Sequence, residues 1–318
     1  MSEKTSGRQT QHNRPDLSVQ IGDLVLRNPV MTASGTFGYG REYAGLFDLS
    51  LLGAIVVKGT TLLSRDGNAP PRTVETPSGM LNAIGLQNVG VDAFLATELP
   101  FLAQFHTPVI LNIAGHTIRE YGEIASRADG APGLSALEVN ISCPNVEAGG
   151  MTFGVSPLVS AQVVGLVKKR TSLPVIAKLS PNVTSVTAIA RAVADAGADA
   201  VSLINTLVGM VIDIKKKRPV LANITGGLSG PAVRPVALKM VWEAAGAVDI
   251  PVIGIGGIAT WQDAVEFMLA GATGVQVGSA IFGNPRAPLD VICGLEHYAC
   301  SEGIASIRDM VGLARKNI

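Results

Sequence analysis

The run Ala196-Gly197-Ala198-Asp199-Ala200-Val201 decides the fold, and Ala270-Gly271-Ala272-Thr273-Gly274-Val275 repeats its pattern further along the chain. In each run a helical segment ends at a glycine, which accepts the left-handed conformation that closes helices, and an apolar strand follows at once. Three strands also open on one tripeptide, at Pro108-Val109-Ile110, Pro174-Val175-Ile176 and Pro251-Val252-Ile253. Consecutive apolar residues indicate strands that are covered on both faces, as in parallel sheets.

Repeated strand–helix units of this kind predict a parallel sheet with helices around it. Eight segments read as buried strands, namely residues 29–33, 53–58, 108–113, 136–141, 174–179, 200–205, 251–255 and 274–278. Helices are predicted at 157–171, 184–197, 231–247, 260–270 and 288–316, the last with a break at Gly303. Residues 17–27 are predicted to form an N-terminal hairpin. Eight units in 318 residues favour an α/β (β/α)8 TIM barrel over a doubly wound sheet.

Composition limits the class of protein. Hydrophobic residues make up 47%, charged residues 16%, and the net charge is zero, so a large core is expected and neither nucleic acid nor an anionic membrane is favoured as a partner. Cys143, Cys293 and Cys300 are too widely spaced for a disulfide framework or a zinc site, and no metal is expected. The polar residues 1–15 are predicted to be a disordered tail before a single domain at 16–318. With no signal peptide or membrane span in the pattern, a cytoplasmic location is expected.

Two glycine-containing strand ends predict a phosphate site. Gly254-Ile255-Gly256-Gly257 and Val277-Gly278-Ser279-Ala280 close the seventh and eighth strands. Glycine lets the backbone approach an anion, and a phosphate bound after these two strands recurs in (β/α)8 barrels. The alternative is that the glycines only make tight turns. The partial dinucleotide fingerprint that starts at Gly254 is weak support for a Rossmann fold, since no acidic residue follows at the required distance.

Polar side chains end five of the apolar strands: Lys58, Asn112, Asn140, Lys178 and Asn205. A charged or amide group at the end of a buried strand is costly unless it meets a partner. Any one of them could be a structural hydrogen-bonding residue. Together, on one rim, two cations and three amides favour an anionic ligand with amide groups. Long βα loops at 59–105, 142–156 and 206–230 are predicted to build the rest of this active face.

Cys143 is a candidate base. It follows the fourth predicted strand in Asn140-Ile141-Ser142-Cys143-Pro144-Asn145, on a loop expected over the barrel mouth. A thiol, whose ordinary pKa is about 8.5, can abstract a proton when its thiolate is partly populated. An inert buried cysteine is the alternative. Cys293 and Cys300 fall in the predicted C-terminal helix and are interpreted as packing residues.

Several motifs occur together in one order: Asn82-Ala83-Ile84-Gly85-Leu86-Gln87-Asn88, Asn140-Ile141-Ser142-Cys143-Pro144-Asn145-Val146, Lys178-Leu179-Ser180-Pro181-Asn182, Ile204-Asn205-Thr206 and Gly226-Gly227-Leu228-Ser229-Gly230-Pro231. From about residue 17 to the end, the chain resembles the class 1 dihydroorotate dehydrogenases. Its run Gly149-Gly150-Met151-Thr152-Phe153-Gly154 is similar to that of the 1B subclass. Membrane-bound class 2 enzymes have serine where this chain has Cys143.

The resemblance implies one FMN per chain, dihydroorotate as substrate and Cys143 as the general base. It implies FMN contacts at Ser34, Lys58, Gly59, Asn112, Asn140, Lys178, Ile204, Gly230, Gly256, Gly257, Gly278 and Ser279. It implies substrate contacts at Lys58, Asn82, Ala83, Ile84, Gly85, Leu86, Asn140, Asn205 and Thr206. It also implies a homodimer core joined to an electron-transfer subunit with FAD and an iron–sulfur cluster, as a heterotetramer that reduces NAD⁺. Two alternatives remain, a subunit similar to dihydropyrimidine dehydrogenase that acts on uracil or thymine, and a flavin-free phosphate-binding barrel.

Overall fold

Eight parallel strands form one sheet that closes on itself; the computed structural model describes residues 14–142, 153–316 and 318. In chain order the strands are β1 Val30–Thr32, β2 Ile55–Val56, β3 Val109–Ile113, β4 Leu134–Asn140, β5 Val175–Lys178, β6 Ala200–Leu203, β7 Val252–Ile255 and β8 Gly274–Val277. The order across the sheet is β1-β8-β7-β6-β5-β4-β3-β2. Its two ends meet where the N–H of Gly53 donates to Val30 O over 2.9 Å. The predicted (β/α)8 barrel is confirmed.

The strands form where apolar residues run consecutively. Every residue of β3, β5, β6, β7 and β8 is buried, and so is every residue of β4 except Ser135. Such strands need cover on both faces, which the barrel interior and the surrounding helices provide. All eight predicted strands are therefore present, within a few residues of their predicted bounds.

Helices surround the barrel, and those predicted at 157–171, 184–197, 231–247 and 260–270 are present within about three residues of their predicted bounds. The longer ones are Ile118–Ala128, Pro157–Lys168, Val186–Asp195, Arg234–Ala245, Trp261–Ala270 and Ala287–Ser301. Shorter helical segments are Ser34–Phe37, Arg41–Ala44, Leu49–Leu51, Val91–Ala93, Phe94–Glu98, Leu99–Leu102, Ala103–Phe105, Phe153–Val155, Pro231–Val233, Ala280–Gly283, Ile307–Met310 and Leu313–Lys316. Gly271 ends one helix at φ 119°, as predicted. Within the described residues, no helix is both long and apolar enough to cross a membrane.

The prediction that Cys293 and Cys300 are packing residues is wrong. Both thiols are exposed, because they lie on the outward side of the helix Ala287–Ser301, whose buried positions include Val291 and Leu295. The predicted break at Gly303 is confirmed, since this helix ends at Ser301.

Smaller sheets are built from the loops. The predicted N-terminal hairpin pairs Val19–Ile21 with Leu24–Leu26. A four-stranded antiparallel sheet, in the order Leu207–Gly209, Gly226–Ser229, Gly79–Asn82 and Thr73–Thr76, joins the long loop after β2 to the long loop after β6. A short ribbon pairs Ile212–Asp213 with Arg218–Pro219. The two insertions thus form one wall at the same end of the barrel.

Two predicted features lie wholly or largely outside the described residues. The predicted tail, residues 1–15, is described only at its last two positions, and Cys143 lies in the undescribed range 143–152. The predicted tail and the predicted base therefore remain predictions.

Candidate active site

One cleft of about 760 Å³ opens at the carboxyl ends of the barrel strands. It brings together every described residue that the resemblance assigns to cofactor or substrate: Ser34, Lys58, Gly59, Asn82, Ala83, Ile84, Gly85, Leu86, Asn112, Asn140, Lys178, Ile204, Asn205, Thr206, Gly230, Gly256, Gly257, Gly278 and Ser279. These positions come from loops and strand ends that are far apart in sequence. Their convergence is a property of the fold, and their roles toward a ligand remain predictions.

Lys58 supplies an unpaired cation to this cleft. It follows the end of β2, and its side chain is half-buried. Burial lowers the pKa of Lys58 from its ordinary value of 10.5, and repulsion from Arg72 lowers it further. Within the described part of the chain, no hydrogen bond or ion pair reaches its ammonium group. A half-buried cation without a partner among the described residues favours an anionic ligand at this position.

Amide side chains that line the same cleft are already oriented by hydrogen bonds. Asn205 Nδ2 donates to Asn140 Oδ1 over 3.2 Å, and Asn205 Oδ1 accepts from the N–H of Thr206 over 2.7 Å. The hydroxyl of the buried Tyr121 donates to Asn140 O over 2.8 Å and fixes the end of β4. Asn82 Nδ2 donates to Gly227 O over 3.3 Å across the four-stranded sheet. These bonds hold the amides in place before any ligand arrives, which lowers the entropy lost on binding.

Lys178 differs from Lys58 because it has a counterion. Its ammonium nitrogen lies 3.3 Å from Glu138 Oε2 and 3.4 Å from Ser34 Oγ, and all three residues are buried. The sequence prediction missed Glu138. The sequence did contain an indication of Glu138, since it is the one charged residue in the otherwise uncharged strand Leu134–Asn140.

A backbone cradle for an anion lies at the ends of β7 and β8. The N–H groups of Gly257, Gly278 and Ser279 donate to no other described residue. Gly257 has φ 73°, and a Cβ there would lie 2.9 Å from the backbone nitrogen of Arg234, so only glycine fits without strain. The next helix begins at Trp261, and Thr260 before it forms a capping box with Asp263. Free N–H groups at a loop before a helix suit a phosphate group.

The cleft also contains residues for which the sequence carried no recognisable signal. Arg65 and Asn68 line it from the loop after β2. Arg65 Nη1 lies 2.6 Å from His116 Nε2, and Asn68 Nδ2 donates to Ala83 O over 2.9 Å. Asn68 therefore supports the segment that starts at Ala83, whereas the backbone of Arg65 pairs with Asn88.

The fold is a closed (β/α)8 barrel, the architecture of many enzymes, and its strand-end cleft contains a lysine with no partner among the described residues, oriented amides and a glycine cradle. Such a cleft suits an anionic ligand and a phosphate group. The family model described as "Dihydroorotate dehydrogenase" matches residues 16–298, and the chain belongs to this family. The family predicted from the motifs is thereby confirmed.

Curated relatives match nearly the whole chain. A protein of Geotalea daltonii is 58% identical over 299 residues, covering 94% of this chain and 98% of the relative. A protein of Geotalea uraniireducens is 59% identical with the same coverage, and one of Geobacter sulfurreducens is 58% identical. All three are named "Dihydroorotate dehydrogenase B (NAD(+)), catalytic subunit".

Proposed function

We propose that this chain oxidises dihydroorotate to orotate in de novo pyrimidine biosynthesis, with FMN as the hydride acceptor and Cys143 as the general base. The observation that carries the proposal is the Lys58 ammonium, which has no partner among the described residues and shares one cleft with a glycine cradle in a member of the dihydroorotate dehydrogenase family. The Lys58 ammonium suits a carboxylate, and the glycine cradle suits a phosphate.

The residues present fit FMN. Free N–H groups of Gly257, Gly278 and Ser279 would hold its phosphate. Asn112 Oδ1 is buried without a hydrogen-bond partner among the described residues, which leaves an acceptor for an N–H of the ring. When bound, FMN supplies the group that accepts the hydride. The Lys178 ammonium would stabilise the negative charge that develops in that reaction. Ser34, Gly59, Ile204 and Gly230 line the same cleft and would supply the remaining contacts.

The substrate is a flat ring with a carboxylate and amide edges. Lys58 would bind the carboxylate through a charge-assisted hydrogen bond. Asn82, Asn140, Asn205 and Thr206 would bind the amide edges, and the segment 83–86, which lines the cleft, would contact the ring. Several bonds of this kind hold the reacting carbon in position, which is the main contribution of this part of the site to the rate.

Cys143 would remove the proton at C5 of dihydroorotate while C6 gives up its hydride. Cys143 itself lies outside the described residues, but Ser142, the residue before it, lines the cleft. The chain therefore leaves β4 at the cleft, which supports a thiol near the substrate. A positioned base of this kind contributes roughly 10²–10⁴-fold to a rate.

Anaerobic mixing with dihydroorotate tests the proposal. The purified chain should be yellow, and its flavin absorbance should bleach on mixing. Cys143→Ala should keep its FMN and bleach about 10²–10⁴-fold more slowly, whereas Cys293→Ala, which removes an exposed thiol, should bleach normally. Undiminished bleaching of Cys143→Ala would reject this residue as the base.

The same experiment separates the two alternatives. Bleaching by dihydrouracil but not by dihydroorotate would favour the dihydropyrimidine reaction. Purified protein without flavin absorbance, even after incubation with FMN, would favour a flavin-free barrel.

We further propose a homodimeric core that passes electrons to NAD⁺ through a second subunit with FAD and an iron–sulfur cluster. The support is the name that the relatives carry, each a catalytic subunit of an NAD(+) enzyme. The isolated chain should then reduce an artificial dye but not NAD⁺, and adding the second subunit should restore NAD⁺ reduction. Direct NAD⁺ reduction by the isolated chain would contradict this arrangement.

A further inference from the structure

A buried carboxylate lies beneath the cleft without lining it. Glu138 is fully buried in β4. Four side chains from four other strands donate hydrogen bonds to it: Asn112 Nδ2 at 2.5 Å, Lys178 Nζ at 3.3 Å, Ser202 Oγ at 2.9 Å and Gln276 Nε2 at 2.6 Å. Since every partner donates, the carboxylate acts as an acceptor only, which is the behaviour of its ionised form.

The two oxygens of Glu138 face different surroundings. Oε1 accepts from Ser202 and Gln276, which belong to the barrel interior and do not line the cleft. Oε2 accepts from Asn112 and Lys178, which both line the cleft. The carboxylate thus connects an anchor inside the barrel to the two side chains that are proposed to face the flavin.

Stability alone does not account for this cluster. The interior of a (β/α)8 barrel is usually filled by layers of apolar side chains. A buried ion pair gives little net stability compared with well-packed apolar residues of similar volume, because both charges lose their hydration. Two further atoms of the cluster, Asn112 Oδ1 and Gln276 Oε1, have no hydrogen-bond partner among the described residues. A role toward the cleft accounts for a charge at this depth.

We infer that Glu138 is a positioning residue of this site, which acts on the bound flavin through Lys178 and Asn112; the inference rests on the proposed function. Glu138 fixes the Lys178 ammonium on the floor of the cleft, and its negative charge offsets part of the ammonium charge. Lys178 therefore stabilises the reduced flavin only in part. Without this offset, electrons would be held more tightly on the flavin and would pass more slowly to the next acceptor.

Glu138→Gln removes the charge and preserves the shape. The new amide can be accommodated, because the Ser202 hydroxyl can accept a hydrogen bond and Gln276 can turn its unpartnered Oε1 toward the new N–H group. We expect the equilibrium constant for reduction of bound FMN to rise about tenfold, a shift of roughly +30 mV for a two-electron couple. The measurement is an anaerobic titration of the FMN-loaded full chain against a dye of known potential.

Two matched variants control for packing. Glu138→Asp keeps the charge and should return the potential most of the way to the wild-type value. Ser202→Ala removes one donor and no charge, so its potential should stay close to that of the wild type. A Glu138→Gln potential equal to or below the wild-type value, or an Asp variant that behaves like the Gln variant, overturns the inference.

Failure of the inference is distinguishable from failure of the proposed function. Wild-type protein that binds no FMN, or whose flavin is not bleached by dihydroorotate, refutes the proposed function before any variant is compared. Wild-type protein that is bleached normally, together with an unmoved potential in Glu138→Gln, refutes the inference alone.

A second measurement decides the case in which Glu138→Gln does not fold. Lys178→Met leaves the Glu138 carboxylate without its counterion, and adding Glu138→Gln removes that stranded charge. The double variant should therefore unfold at a higher temperature than Lys178→Met, measured on the full chain with excess FMN. A double variant that is no more stable than the single variant contradicts the coupling between the two residues.

Discussion

Two lysines on the same rim should respond in opposite directions to the same substitution. Lys58 is half-buried and has no partner within the described residues, whereas Lys178 is buried against Glu138. Lys58→Met removes a half-buried cation that no described residue pairs with, and it should stabilise the ligand-free protein by about 1–3 kcal/mol. Lys178→Met strands a buried carboxylate and should destabilise it by about 3–5 kcal/mol.

These free energies convert to melting temperatures. The entropy of unfolding, about 2.1 cal/mol/K per residue near 60 °C, gives roughly 0.7 kcal/mol per degree for 318 residues. Lys58→Met should therefore melt about 1.5–4.5 °C higher than the wild type, and Lys178→Met about 4.5–7.5 °C lower. Differential scanning calorimetry of flavin-free protein at neutral pH measures both shifts. Both variants should also lose most of their reaction with dihydroorotate.

The pH dependence adds an independent check on Lys58. Its pKa in the folded protein is lowered from 10.5 by burial and by Arg72. Between the lowered pKa and 10.5 the unfolded chain binds more protons, so the stability of the wild type rises with pH in this window. Lys58→Met lacks this rise, and its advantage should shrink as the pH increases. A lower melting temperature for Lys58→Met at neutral pH, or equal shifts for both variants, would refute the reasoning.

Three further outcomes are expected. Gly227→Ala should weaken orotate binding at least about tenfold while FMN content stays normal, because the added Cβ would collide with the Thr206 side chain; fluorescence titration with orotate measures it, and unchanged affinity contradicts it. Arg72→Gln removes repulsion that lowers the Lys58 pKa, so the pH at which orotate affinity is lost should rise. Orotate affinity measured across pH tests this, and an unchanged midpoint would contradict it. Tyr121→Phe should lower the free energy of unfolding by about 1–3 kcal/mol, because its hydroxyl donates to the carbonyl that ends β4; a denaturant midpoint equal to that of the wild type is the contrary result.

Local patterns were enough to predict the barrel. Each strand is a short run of buried apolar residues, and each of the helix ends at Gly197 and Gly271 leads directly into the next strand. The rim residues were also predictable, because a polar side chain such as Lys58 or Asn112 at the end of an apolar strand is costly unless a ligand or another polar group meets it. Parallel strands then bring those ends to one face without further information.

The remaining features depend on contacts that no local pattern encodes. Glu138 has partners on four strands, and its role became visible only once the closed barrel placed them around one point. The four-stranded sheet was predicted as loops, because its strands are three or four residues long and one of them, Gly226–Ser229, begins with two glycines. Such strands carry little intrinsic preference and form through pairing with distant segments.

The pairing of Gly227 with Asn82 ties together two loops that are far apart in the chain. Side chains alternate between the faces of a strand, so a slip of this pairing by one residue would place the side chains of one strand on the opposite face. We therefore expect length changes inside the paired strands to be tolerated only where the pairing of Gly227 with Asn82 is kept. Grafting experiments that alter substrate preference should exchange residues 73–82 and 207–229 as one unit.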